Sequence, residues 1–284
     1  MIRPARPGDE AAIEAFLAQH AETSMFLRAN LASHGLGPGA HVHATTYHLA
    51  PSSGPIRAVF GLTGNGFMMC QAPGADAPFA AYAAAVAGQR LAGITGDDAQ
   101  VLRLIAALAL PDAAFRVNHA EPLMRLDLAD LPDVAATIRP PGPGDLALLT
   151  DWFHGFLLDT GLATPGAAGR QEAEDRAQRE IEAARMRLLI EGGTPVAMAG
   201  LNATLPDTVQ LGGVFVLPDL RNRGFGRRVT AALLAEARGR GVRRALLFAN
   251  NDAAARAYAA VGFQAIGQYR VAVLHRPTPI GAVT

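Results

Sequence analysis

Residues 212–228 read GGVFVLPDLRNRGFGRR. An apolar run, Val214-Phe215-Val216, stops near Pro218, which has no N–H to give a sheet ladder. Arg221-Asn222-Arg223-Gly224-Phe225-Gly226 follows, and from Phe225 apolar residues recur every fourth position through Val229, Leu233 and Ala237. That period makes a helix with one buried stripe. The stretch is therefore a strand, a glycine-containing turn and a helix start. Such a junction collects anions, because the first N–H groups of a helix lack internal acceptors and the helix dipole favours negative charge there. Gly224 and Gly226 keep side chains away from those N–H groups, while Arg221, Arg223, Arg227 and Arg228 supply charge-assisted donors. The spacing matches neither the nucleotide loop G-x-x-x-x-G-K-[ST] nor the dinucleotide loop G-x-G-x-x-G.

Working outward, the chain repeats itself. Residues 2–9 read IRPARPGD and residues 138–145 read IRPPGPGD, six identities in eight at an offset of 136. At the same offset Ile13, Phe16 and Leu17 fall on Leu149, Trp152 and Phe153, so each copy opens as a short strand, a turn and an amphipathic helix with Asp9 or Asp145 as its N-cap. The reading is an α/β (α+β) chain with a mixed sheet in each of two tandem domains, 1–130 and 138–284, joined near 131–137. In the first, strands are expected near 42–49, 55–63 and 66–71, with a hairpin at Gly64-Asn65-Gly66. Helices near 78–88 and 97–109 and a closing strand near 122–128 complete it. In the second, helices near 145–159, 171–185, 224–238 and 252–260 alternate with strands near 186–191, 195–203, 208–217 and 243–249, and a strand at 268–275 closes it.

A second signature lies downstream. Asn251-Asp252-Ala253-Ala254-Ala255-Arg256-Ala257-Tyr258 leads on to Gly262-Phe263. The R-x-x-G-x-G order after a V-x-P strand end, followed by N-x-x-A-x-x-x-Y-x-x-x-G-F, resembles the GCN5-related N-acetyltransferase (GNAT) superfamily over about 138–275. The resemblance implies two tandem GNAT-like domains, the second binding acetyl-CoA as acyl donor. It implies that the backbone of Arg223, Gly224, Phe225, Gly226, Arg227 and Arg228 wraps the CoA diphosphate, that Arg221 also binds the cofactor, and that Val214, Phe215 and Val216 pair with the pantetheine arm through exposed main-chain groups. Asn251 would contact the same arm, and Tyr258 would protonate the departing thiolate, a suitable task for a phenol that is protonated at neutral pH. The first domain has Phe67-Met68-Met69-Cys70-Gln71-Ala72-Pro73 where the loop would begin, so it reads as a degenerate copy without a cofactor site.

The pattern is incomplete at one position. Many relatives carry Glu 14 residues before the first loop glycine, and here that residue is Gln210, which orients a water but accepts no proton at neutral pH. His154, Asp159 and Glu191 are the other candidates for the base, which stays unassigned. The expected function is transfer of acetyl to a small-molecule acceptor, an amine; the alternative is a CoA-binding regulator of the same fold with weak or no catalysis.

Composition narrows the rest. Twenty-five basic residues balance 25 acidic ones, which disfavours a nucleic-acid partner, and half the chain is hydrophobic, which excludes global disorder. The single cysteine, Cys70, allows no internal disulfide and reads as core. His41, His43 and His48 lack a third ligand at a recognised spacing, so no metal is expected. The first residues lack a signal-peptide core and no apolar run approaches about 18 residues, so a soluble, cytoplasmic protein without a membrane partner is expected. The sequence leaves oligomeric state open.

Overall fold

The computed structural model describes residues 1–281, which form two compact units, residues 1–121 with 268–281 and residues 122–267. The order of elements begins β1 (Arg3–Pro4), α1 (Glu10–Ala18), α2 (Met25–His34), β2 (Thr45–Ala50), β3 (Ala58–Thr63), β4 (Phe67–Gln71), α3 (Phe79–Ala85), β5 (Arg90–Asp97), α4 (Asp98–Ala107) and β6 (Phe115–Asp127). It continues β7 (Thr137–Arg139), α5 (Leu146–Asp159), α6 (Ala167–Ala183), β8 (Met186–Glu191), β9 (Thr194–Thr204), β10 (Thr208–Val216), α7 (Phe225–Gly239), β11 (Arg244–Phe248), α8 (Asp252–Ala259) and β12 (Gln264–Pro279). No helix among the described residues is long and apolar enough to cross a membrane.

In the first unit the strand order is β1-β2-β3-β4-β5-β12. Alternate residues face opposite sides of a strand, and the core divides accordingly. Ile13, Leu17, Leu27 and Leu31 of α1 and α2 pack with Tyr47, Leu49, Val59 and Met69. On the other face Phe60, Met68 and Cys70 pack with Phe79 and Tyr82 of α3 and Val101 and Leu104 of α4. The β3–β4 hairpin forms around Gly64-Asn65-Gly66 as expected, with Leu62 opposite Met68. Cys70 is a buried free thiol that burial pushes up to about 12, which removes it from nucleophilic chemistry at neutral pH.

The second unit runs β6-β11-β10-β9-β8-β7. One face carries α5 and α6, with Leu149, Trp152, Phe153, Ala173 and Ala177 on Met186, Leu188, Met198 and Phe215. The other carries α7, whose Val229, Leu233 and Ala237 pack on Val209, Leu211 and Ala197 while Phe225 covers their edge. The stripe read from the sequence is the buried one.

The structure corrects the assignment of the closing strands. Residues 123–127 of β6, expected to close the first unit, pair antiparallel with β11 of the second. Residues 269–273 of β12, expected to close the second, pair antiparallel with β5 of the first. The chain order 1–130 then 138–284 is therefore not the spatial grouping. Strand β5 itself escaped the sequence reading because Gly93 and Gly96 interrupt its pattern. A Cβ at Gly93 would stand 2.7 Å from both the Ala272 carbonyl oxygen and the Phe67 ring, so the glycine is there for close packing.

Candidate active site

The site is built where two parallel strands part. β10 pairs with β11 through Thr208, Val209 and Gln210 only, although β10 runs on to Val216 and β11 to Phe248. Beyond Gln210 the β11-facing main chain of β10 has no strand beside it. On the opposite side β10 stays paired with β9 but slips register between Gly212 and Phe215, where Gly213 takes φ +61°. A bulge of this kind redirects main-chain groups and side chains.

The open edge leads directly into the loop. Asn222 and Gly224 adopt positive φ, +63° and +78°, which turn the chain into α7. Gly224 occupies the N-cap position with no side-chain cap, and the first internal bond is Arg228 N–H to the Gly224 carbonyl. The N–H groups of Phe225, Gly226 and Arg227 thus lack intrahelical acceptors, the arrangement that attracts an anion. Gly226 packs on β10, its built Cβ lying 3.6 Å from Val216.

A groove of about 290 Å³ opens at this helix start. Arg223, Gly224, Arg227 and Arg228 form its basic wall, and Pro132, Val134, Ala260 and Val261 its apolar wall. Segment 131–137, read from the sequence as a linker, is one side of this groove. Arg238 holds it by donating to the Leu128 and Leu131 carbonyls, and Arg228 reaches the Ala135 carbonyl at 3.4 Å.

Residues 150–263 match the acetyltransferase (GNAT) family. The second unit carries a GNAT domain. The whole chain is similar in fold to a tandem GNAT protein from the clavulanic acid biosynthesis pathway, with TM-score 0.60, 14% identity, and coverage of 100% of this chain and 99% of that one. It is likewise similar to a GCN5-related N-acetyltransferase from Sphaerobacter thermophilus (TM-score 0.58, 17% identity, 99% and 95% covered). A third likeness is a GCN5-related N-acetyltransferase from Kribbella flavida (TM-score 0.55, 17% identity, 95% and 97% covered). No curated protein matches the chain. The tandem GNAT fold is thus shown, with the mixed α/β architecture expected.

Within the GNAT domain the residues singled out by sequence have distinct places. Arg223, Gly224, Arg227 and Arg228 gather at the groove. Arg221 turns away from it: its Nη2 pairs with Asp159, 62 residues distant, its Nε donates to the Val216 carbonyl at 3.1 Å, and its Cζ lies 5.8 Å from the Phe215 ring centre. Phe215 is buried toward α5, where a Cβ at Gly155 would come within 2.8 Å of its ring, so its side chain serves packing. Val214, Val216 and Phe225 are partly buried against the α7 core. Asn251 caps α8, its Oδ1 accepting the Ala254 N–H at 2.8 Å. Tyr258 sits on the same helix, half-buried, edge-on to Phe263 at 6.0 Å.

Two of the three candidate bases are occupied. Asp159 is taken by Arg221 and Glu191 by Arg228, at 2.8 Å in the second case. His154 keeps a buried Nε2 without a hydrogen-bond partner, and so does the Gln210 Oε1, on a residue only 2% exposed.

The first unit has the same parting of strands and fills it with its own side chains. β4 pairs with β5 only through Phe67, Met68 and Met69. Past that point the Gln100 Oε1 accepts the Ala72 N–H, and Arg103 donates to the Gly74 and Ala75 carbonyls at 2.8 and 2.6 Å. Its loop turns carbonyls toward a cation, the reverse of an anion cradle. The β3–β4 ladder keeps one register throughout, without the bulge of β9–β10. In the same unit His34 and His41 stack at 4.2 Å, and among the described residues no group of three or more metal-type side chains gathers.

Proposed function

We propose that the second unit binds acetyl-CoA and transfers its acetyl group to a small-molecule amine. The observation that carries this reading is the unpaired edge of β10 running into the uncapped, arginine-flanked start of α7. An extended amide-bearing arm can add to a free strand edge through main-chain hydrogen bonds. A diphosphate suits the N–H groups of Phe225 to Arg227 with Arg223, Arg227 and Arg228 around it. Pro132, Val134, Ala260 and Val261 offer apolar surface for the nucleoside end.

Acetyl-CoA supplies an acetyl thioester. The Val216 main-chain N–H polarises its carbonyl, a contact that strengthens as charge builds on the oxygen. The amine attacks the carbonyl carbon, the C–S bond breaks, and Tyr258 gives its proton to the leaving sulfur. Gln210 accepts no proton, and the ion pairs of Asp159 and Glu191 tie up those carboxylates. His154 is the remaining acceptor for the amine proton.

The test is calorimetric titration with acetyl-CoA, desulfo-CoA and ATP, followed by thiol release with an amine panel. Acetyl-CoA should bind at one site per chain in preference to ATP. Tyr258→Phe should leave that affinity unchanged and lower kcat by about 10²-fold. Absence of acetyl-CoA binding would overturn the assignment.

A further inference from the structure

The α5/α6 face of the second unit carries a cation that makes no direct ion pair among the described residues. Arg176 lies on α6 with its Cζ 4.8 Å from the ring centre of Phe153 and 5.4 Å from that of Phe156. Phe153 is fully buried, and so are Ala173 and Ala177 on either side of Arg176 along the helix. Arg176 as a residue is partly exposed, while its guanidinium is desolvated by the rings and helices around it. Among the described residues it makes no ion pair and no hydrogen bond, whereas Arg170 on the same helix pairs with Asp151 at 2.9 Å. Desolvation lowers the Arg176 pKa, an effect that Glu180 and Glu172 oppose and Arg179 reinforces. The group stays charged, since arginine keeps its proton in proteins.

Its position ties it to the reaction site. A Cβ built at Gly213 would lie 3.8 Å from the Arg176 Nη2, and Gly213 is the positive-φ residue of the β10 bulge. The charge therefore ends beside the strand that offers its edge to the acyl donor. Two further polar atoms, His154 Nε2 on α5 and Glu180 Oε2 on α6, are buried without partners. A desolvated charge without a contact ion pair is costly, and truncating a partner from such a pair usually costs several kcal/mol. A chain that keeps one open beside its reaction site gains from an anion that arrives with the substrate.

We propose that Arg176 binds a carboxylate of the acceptor, so that the amine acetylated here belongs to a carboxylate-bearing small molecule. A planar carboxylate fits the fork of one guanidinium with two parallel hydrogen bonds. A phosphate dianion fits less well, because Glu180 stands one helical turn further along and would repel the second charge. This inference rests on the acyl-transfer reading above.

The test uses the common α-amino acids, each beside its carboxamide, titrated by calorimetry into the full-length protein with and without saturating desulfo-CoA. Wild type should bind at least one acid at least about tenfold more tightly than its amide, which is 1.4 kcal/mol. Arg176→Met keeps apolar contact with both rings and should erase that preference, while amide affinity and acetyl-CoA affinity stay as in wild type. Arg176→Lys should recover part of the preference and serves in place of the methionine variant should that one not fold. No acid preferred over its amide, or a preference that survives in Arg176→Met, overturns the inference. Acetyl-CoA is titrated separately on each protein: normal acetyl-CoA binding without acid preference sinks this inference alone, and no acetyl-CoA binding sinks the acyl-transfer reading and this inference with it.

Discussion

Asp9 and Asp145 make the same three hydrogen bonds in the two units. Each accepts two from the arginine six residues earlier, Arg3 or Arg139, at 2.7 and 2.8 Å, and a third from the main-chain N–H three residues earlier, Arg6 or Gly142, at 2.7 Å. Both stand at the N-cap position read from the sequence, but neither side chain caps its helix. They instead tie the opening strand to the turn. The repeat at an offset of 136 is thus a repeat of structure down to individual oxygen atoms.

This contact predicts an acid limb. The Arg3 hydrogen bond, with the Arg6 N–H behind it, holds the Asp9 carboxyl at about 2, and the Arg139 hydrogen bond lowers Asp145. Both folded values lie below the unfolded value of about 3.9. Their stabilisation is therefore complete above about pH 4 and is lost as pH falls toward 2. Asp9→Asn with Asp145→Asn should cost about 1 kcal/mol per site or less at pH 7, since the pairs are partly solvated. Urea melts between pH 2 and 7 should show a flatter acid limb for the double variant, and an unchanged limb would refute the assignment.

The plug in the first unit predicts how to close the second. Asp97 caps α4 through the Gln100 N–H as Asn251 caps α8 through the Ala254 N–H. Aligning the caps places Gln100 on Ala254, Arg103 on Ala257 and Leu104 on Tyr258. The second unit has alanine at both positions from which the first fills its cleft. Ala254→Gln with Ala257→Arg should weaken acetyl-CoA binding at least about tenfold. The melting temperature should fall little, because both alanines are only partly buried. Calorimetry and a thermal melt on the double variant decide it; full affinity would show that the cofactor lies elsewhere.

Gly224 separates backbone from charge at the loop. Its φ of +78° disfavours any side chain, so Gly224→Ala should cost about 1–2 kcal/mol of stability. Gly224→Glu should pay a similar strain and add a carboxylate at the helix start. Acetyl-CoA affinity should drop well beyond the alanine variant, and equal affinities for the two would remove the anion from this position.

Gln210 is a test of function against stability. Its Oε1 is buried without a partner, a cost of about 1–3 kcal/mol when no water or ligand meets it. Gln210→Met keeps the shape and removes the unmet acceptor, so the melting temperature should hold or rise. A fall in kcat alongside would mark Gln210 as a group that orients water near the reacting amine. Unchanged kcat would make it a packing residue.

Much of the second unit was legible because its signals are local. The stripe Phe225, Val229, Leu233 and Ala237 and the positive-φ glycine at 224 are written in a single stretch, and the structure places them on one helix and its start. Asn251 reads as a cap for the same reason. Strand β5 was not legible, since Gly93 answers to Ala272 and Phe67, residues distant in the chain.

Local periodicity and turn chemistry determined the duplicated α/β units, the loop and its helix, because each depends on neighbours within a few turns. Only the tertiary structure decided which closing strand each unit takes, which arginine faces the groove and which binds Asp159, and that segment 131–137 becomes a wall. It also decided that Arg176 comes to rest over Phe153 beside Gly213. Those outcomes depend on strand pairing and charge neutralisation between residues far apart in sequence, where no spacing rule records the partner.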